Sequence, residues 1–134
     1  MRVYSDEYTT IEHHLEERYF KVVRTVPPDI PLEDYKQSFF EWLEMIKKYR
    51  PVFQLLDETE NQYSISQEVQ EWINFEVLKP AYGLGLRKLA VVVSRQLLVS
   101  LSQENVFEDG AGQNFEVEYF SEAGMAEKWL LGGE

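Results

Sequence analysis

Hydrophobic and polar positions follow two rhythms along this chain, and the change between them falls at a run of prolines. Before it, "YTTIEHHLEERYFKVVRT" alternates with a period of two and predicts two strands joined by a turn near Glu16–Glu17. In "RYFKVVRT" Tyr19, Lys21 and Val23 share one face, while Phe20, Val22 and Arg24 share the other. Both faces are partly apolar, which predicts a strand inside a sheet. "TVPPDIP" (25–31) forbids helix and marks a rigid connection. Beyond it, Tyr35, Phe39, Trp42, Leu43 and Ile46 recur at helical spacing through "LEDYKQSFFEWLEMIKKYR". Glu33 and Asp34 at its start and Lys47, Lys48 and Arg50 at its end suit the helix dipole.

The alternation of strands and helices then continues. "VFQLLD" (52–57) predicts a short buried strand. A second helix is expected from about Ser64, with Ile65, Val69, Trp72 and Ile73 on one face, interrupted by Pro80 and ended by Gly83 and Gly85. "KLAVVVS" (88–94) is the most apolar strand and predicts burial on both faces. A third helix is expected from Arg95 to about Ser102, and a half-covered strand in "NFEVEYF" (114–120). A last helix, from Glu122 to about Leu131, would turn Met125, Trp129 and Leu130 to one side. The order ββαβαβαβα predicts an α/β protein: one domain over residues 1–134, with a mixed, mainly parallel five-stranded sheet and about four helices. Sites in such sheets gather at the carboxyl ends of the strands, where Asp57 and Ser94 stand.

Composition narrows the function classes. The length suits one domain that buries a core without staples. No cysteine is present, so disulfides, thiolate metal sites and a cysteine nucleophile are excluded. Lys and Arg number 13 against 24 Asp and Glu, a formal charge of −11 that repels nucleic-acid backbones and anionic lipid surfaces. The first residues hold no apolar run of signal-peptide length, and "LAVVV" (89–93) is too short to span a bilayer. A cytoplasmic location without stable membrane insertion is therefore the expectation.

Candidate chemistry is sparse. His13 and His14 are adjacent on a strand, so they point to opposite faces and are poorly placed to share a metal. "DETE" (57–60) lacks calcium-loop spacing, and "GLGLRK" (83–88) precedes a strand instead of joining a strand to a helix. Neither a catalytic constellation nor a metal or cofactor site is expected. Ser64 with Gln67 three residues on matches a capping box, which leaves Ser66 outside the cap but in the first turn, where a phosphate would be tolerated.

Three segments, "YRPVFQLLDETENQYSISQEVQEWI", "LRKLAVVVSRQL" and "FEVEYFSEAGMAEKWL", resemble the STAS superfamily, in its SpoIIAA-like branch of small bacterial proteins. The resemblance runs from about Ile11 to Leu131. It implies a mixed sheet with packed helices, no cofactor, and function by binding. In the anti-sigma-factor antagonists of that superfamily the strand-to-helix junction carries a phosphorylated serine. Ser64 and Ser66 are the matching positions here, although the flanking aspartate and glycine of that motif are absent. The expectation is thus a non-catalytic regulatory module that binds a protein partner around 57–67, through Asp57, Asn61, Ser64, Ser66 and Gln67. The alternative is a carrier or sensor of a small, lipid-like apolar ligand. Its pocket would be lined by the aromatics that fall off the helical stripes, Phe40, Phe75, Tyr82 and Phe107. The same four would also suit the core or a symmetric dimer contact.

Overall fold

A computed structural model describes residues 1–63, 66–98 and 116–132. Six strands form one sheet in sequential order: β1 (Arg2–Ser5), β2 (Thr9–His14), β3 (Tyr19–Arg24), β4 (Phe53–Asp57), β5 (Lys88–Val92) and β6 (Glu116–Phe120). The pairs β1–β2 and β2–β3 are antiparallel, and the three pairs from β3 to β6 are parallel. The α/β class and the mixed, mainly parallel sheet follow the pattern read from the sequence. The strand number does not, because β1 adds a sixth. It is a four-residue edge strand with an irregular register between Arg2 and Tyr4, too short to show a rhythm. β3 lies between β2 and β4, as its two apolar faces require.

Helix α1 (Leu32–Tyr49) connects β3 to β4 and buries Tyr35, Ser38, Trp42 and Ile46. Its end is set by Arg50, which adopts the left-handed conformation (φ 51°) and donates its N–H to the Ile46 carbonyl. The link from β4 to β5 is a continuous helical run: α2 (Gln67–Ile73), a π-helical turn (Asn74–Leu78) and α3 (Lys79–Gly83). This corrects two details. The helix starts at Gln67, not Ser64, and Ser66 is its cap, its Oγ accepting from the Val69 N–H at 3.2 Å. Nor does Pro80 break the run. The turn before it widens so that the Lys79 N–H bonds the Asn74 carbonyl, which takes up a residue unable to donate and Pro80 sits in the first turn of α3. Gly85 (φ 112°) then turns the chain into β5. After β5, residues 95–98 are helical and the remainder of that predicted helix lies outside the described residues. Helix α4 (Ala123–Gly132) follows β6 and buries Ala126 and Leu130, while Met125 faces solvent instead of the core.

The two faces of the sheet are covered differently. On one, Ile11, Phe20 and Val22 pack under α1 and the α2–α3 run, with Trp42, Ile46, Val69, Ile73 and Val77. On the other, Tyr19, Leu55, Ala90 and Val92 pack under Ala126 and Leu130 of α4. No helix among the described residues is long and apolar enough to cross a membrane.

Candidate functional site

The first face is not filled to its end. A cavity of about 550 Å³ opens between the sheet and the helices, near the carboxyl ends of the parallel strands. Its floor is made of alternate residues of five strands. Thr9 comes from β2, Val22 and Arg24 from β3, and Gln54 and Leu56 from β4, with Glu58 just beyond; Leu89 and Val91 come from β5, and Val117 and Tyr119 from β6. Its roof is the buried stripe of α1, with Tyr35, Ser38, Phe39 and Trp42. Asn61 and Tyr63 of the loop, and Gln70, Ile73, Asn74 and Leu78 of the α2–π segment, complete the wall. Where α2 widens into the π-helical turn, Gln70 Nε2 donates to Asn74 Oδ1 at 3.1 Å. Trp42 donates its indole N–H to Gln54 Oε1 across roof and floor at 2.6 Å.

Two charged residues line this space among those described, Arg24 and Glu58. Arg24 is the last residue of β3, on the face of Phe20 and Val22, and only 4% exposed. Its guanidinium lies over the rings of Phe39 (4.6 Å) and Tyr35 (5.3 Å), and Nη2 donates to Ser38 Oγ at 2.8 Å. The Ser38 hydroxyl in turn donates to the Tyr35 carbonyl. Arg24 Nε has no acceptor, and neither ion pair among the described residues involves this side chain. Thr9, paired with Arg24 across β2 and β3, also has its hydroxyl buried without a partner.

Glu58 continues the alternation of β4 one residue beyond the strand. Its N–H bonds the Val92 carbonyl at 2.8 Å, which holds it in register with β5. Leu56 and Glu58 therefore face the cavity while Asp57 faces the other side. Burial raises the Glu58 pKa above the usual glutamate range; Arg24 and the hydrogen bond from Asn61 Nδ2 (3.0 Å) oppose the shift, and Asp57 adds to it. The phenols of Tyr35 and Tyr119 are likewise pushed up by burial, with the Glu58 charge contributing to both.

The residues singled out from sequence divide around this site. Asn61 is in it, donating to Glu58 and accepting from the Tyr63 N–H. Asp57 is held outside, its Oδ1 taking the N–H and hydroxyl of Thr59 in a local turn. Ser66 and Gln67 are exposed on the rim, and Ser64 lies outside the described residues. None of the proposed pocket aromatics that are described lines the cavity. Phe40 is exposed with its edge to Trp72, Phe75 is exposed, and Tyr82 lies under the Arg87 guanidinium at 3.9 Å. Phe107 lies outside the described residues. The void is bounded by the apolar stripe itself, so on-stripe Tyr35, Phe39 and Trp42 form its wall. A signal for Arg24 was legible: a cation aligned with Phe20 and Val22 on an alternating strand is aimed at the core.

Elsewhere, Ser94 Oγ caps the turn at 95–98 by accepting from the Leu97 N–H. His13 packs against the rings of Phe20 and Tyr49, and its pKa is lowered by burial, by His14 and by the chain's amino group. His14 stacks on Tyr19 on the opposite face. No group of three metal-ligating side chains occurs among the described residues. No protein-family model, curated protein or solved structure matches this chain.

Proposed function

We propose that this chain is a non-catalytic binding module that holds a small, largely apolar molecule in the cavity beside its sheet, as a carrier or sensor. The observation that carries this reading is the cavity itself. At about 550 Å³ it falls within the roughly 300–1,000 Å³ of small-molecule sites. Its wall is mostly aliphatic and aromatic, with polar groups such as Arg24, Ser38, Glu58 and Asn61 among them, a combination that gives a ligand both burial and orientation. An STAS-like domain is part of the proposal. Support comes from the mixed sheet with helices on both faces and from the 57–67 junction adjoining the cavity.

The test is uptake of a neutral apolar dye such as Nile red. Its emission should shift to the blue with the wild-type chain, and Val91→Phe, which fills the floor, should abolish the shift while leaving the circular dichroism unchanged. An unshifted dye, or one equally shifted by Val91→Phe, would rule the cavity out as the binding place.

Docking of a protein partner on the rim at 57–67 and the following helix is the second reading. Exposed Phe40, in edge contact with Trp72, and exposed Phe75 favour it, since exposed large apolar side chains mark interaction sites. Replacing Phe40 and Phe75 together with Ser should abolish capture of such a partner and leave dye uptake intact.

A further inference from the structure

We infer that the molecule held in the cavity is an amphipathic monocarboxylate, with its carboxylate on Arg24 and its apolar body along the floor formed by Leu56, Leu89 and Val91. This rests on the cavity being a ligand site and goes further by naming the chemical class. A guanidinium carries five N–H donors. Among the described residues Arg24 uses Nη2 on Ser38 and leaves Nε without an acceptor. A buried guanidinium with no carboxylate within ion-pair distance is costly, and cation–π contacts with two rings offset only part of that cost. Two rings and one hydroxyl therefore do not complete the site, and a carboxylate does so with matched geometry.

Charge balance selects a monoanion. Glu58 is the other charged residue among those described on the wall, and it is not ion-paired with Arg24. A dianionic phosphate would exceed the single positive charge among the described wall residues and would meet Glu58 with twice the like charge that a monoanion brings. A monocarboxylate matches Arg24 one to one. Among the described residues the wall supplies no second cation, which suits a molecule whose remainder is uncharged.

The experiment compares decanoate with decanol, which differ only at the head, by titration calorimetry on the full chain. Decanoate is expected to bind about tenfold or more tightly than decanol, the margin of a charge-assisted hydrogen bond in a buried site. Arg24→Gln should bring decanoate down to the affinity of decanol while decanol itself still binds, which shows that the variant keeps its cavity. Equal affinity of the two for the wild-type chain would overturn the head-group assignment and leave the apolar cavity standing. Binding of neither would overturn both. Decanoate binding that survives Arg24→Gln would place the carboxylate elsewhere and sink the role given to this residue.

Discussion

Arg24 and Glu58 enter the cavity for the same local reason. Each sits at the carboxyl end of a parallel strand, at a position whose parity points it to the helix-covered face. Each is then held by short-range bonds, Arg24 by Ser38 and Glu58 by Asn61. The raised pKa of Glu58 has a consequence for stability. A carboxyl whose folded pKa lies above its unfolded value favours the folded state when protonated. That contribution is full below the unfolded pKa and is lost as pH rises through the folded one. Glu58→Gln removes the cost of burying the ion, so the variant should melt above wild type at about pH 8, and the difference should shrink toward pH 4. Thermal melts across that range check the sign. A gap that widens as pH falls would show that the interaction with Arg24, not burial, dominates, and a constant gap that the two balance.

At the scale of elements, the junction from β4 to α2 is organised by short polar side chains that satisfy backbone donors. Asp57 closes the turn at Thr59, Asn61 takes the Tyr63 N–H, and Ser66 takes the Val69 N–H. Loss of an N-cap costs about 0.5–2 kcal/mol, so Ser66→Ala should destabilise by roughly 1 kcal/mol and Ser66→Asp should be near neutral. Chemical denaturation distinguishes the two. An unchanged Ser66→Ala midpoint would deny the cap. The π-helical turn belongs to this scale too. Placed just before Pro80, it lets one helical run continue and widens the wall beside the cavity, where Asn74 and Leu78 stand.

At the scale of the molecule, the sheet separates a packed face from a face with a void. Leu55 is fully buried against α4, while its neighbours in sequence, Gln54 and Leu56, face the cavity. Leu55→Ala should cost about 2–5 kcal/mol by the usual effect of a core truncation. It should nevertheless leave decanol affinity unchanged at a temperature where the variant is folded, because the deleted methyls lie on the far side of the sheet. A matched loss of affinity would show that the two faces are coupled.

Much of the architecture was legible in local rhythm. Period-two runs located β2, β3 and β6, short apolar runs located β4 and β5, and the Tyr35–Ile46 stripe located α1, because side-chain direction in a strand or helix follows from position alone. β1 escaped because four residues at a sheet edge carry no measurable period. Met125 was misplaced because α4 turns Ala123, Ala126, Trp129 and Leu130 to the sheet, and Met125 lies off that stripe. The site was harder to read. Spare aromatics suggested a pocket away from the stripes, whereas the cavity is a gap in the packing between the α1 stripe and the sheet, so its wall is built of residues that look like ordinary core. Asp57 drew notice as the acid ending a strand, but a shift of one position puts Glu58, not Asp57, on the cavity side.

By itself the sequence determined the class of fold, the faces of its strands and helices, and the position of Arg24 on an inward-facing row, since these depend on neighbours a few residues apart. The tertiary structure decided where α1 and the α2–α3 run stand off the sheet, that Arg24 and Glu58 share the resulting space, and that no carboxylate among the described residues comes within ion-pair distance of Arg24. Those outcomes depend on distances between residues far apart in the chain, set by how whole elements pack, and no local pattern encodes them.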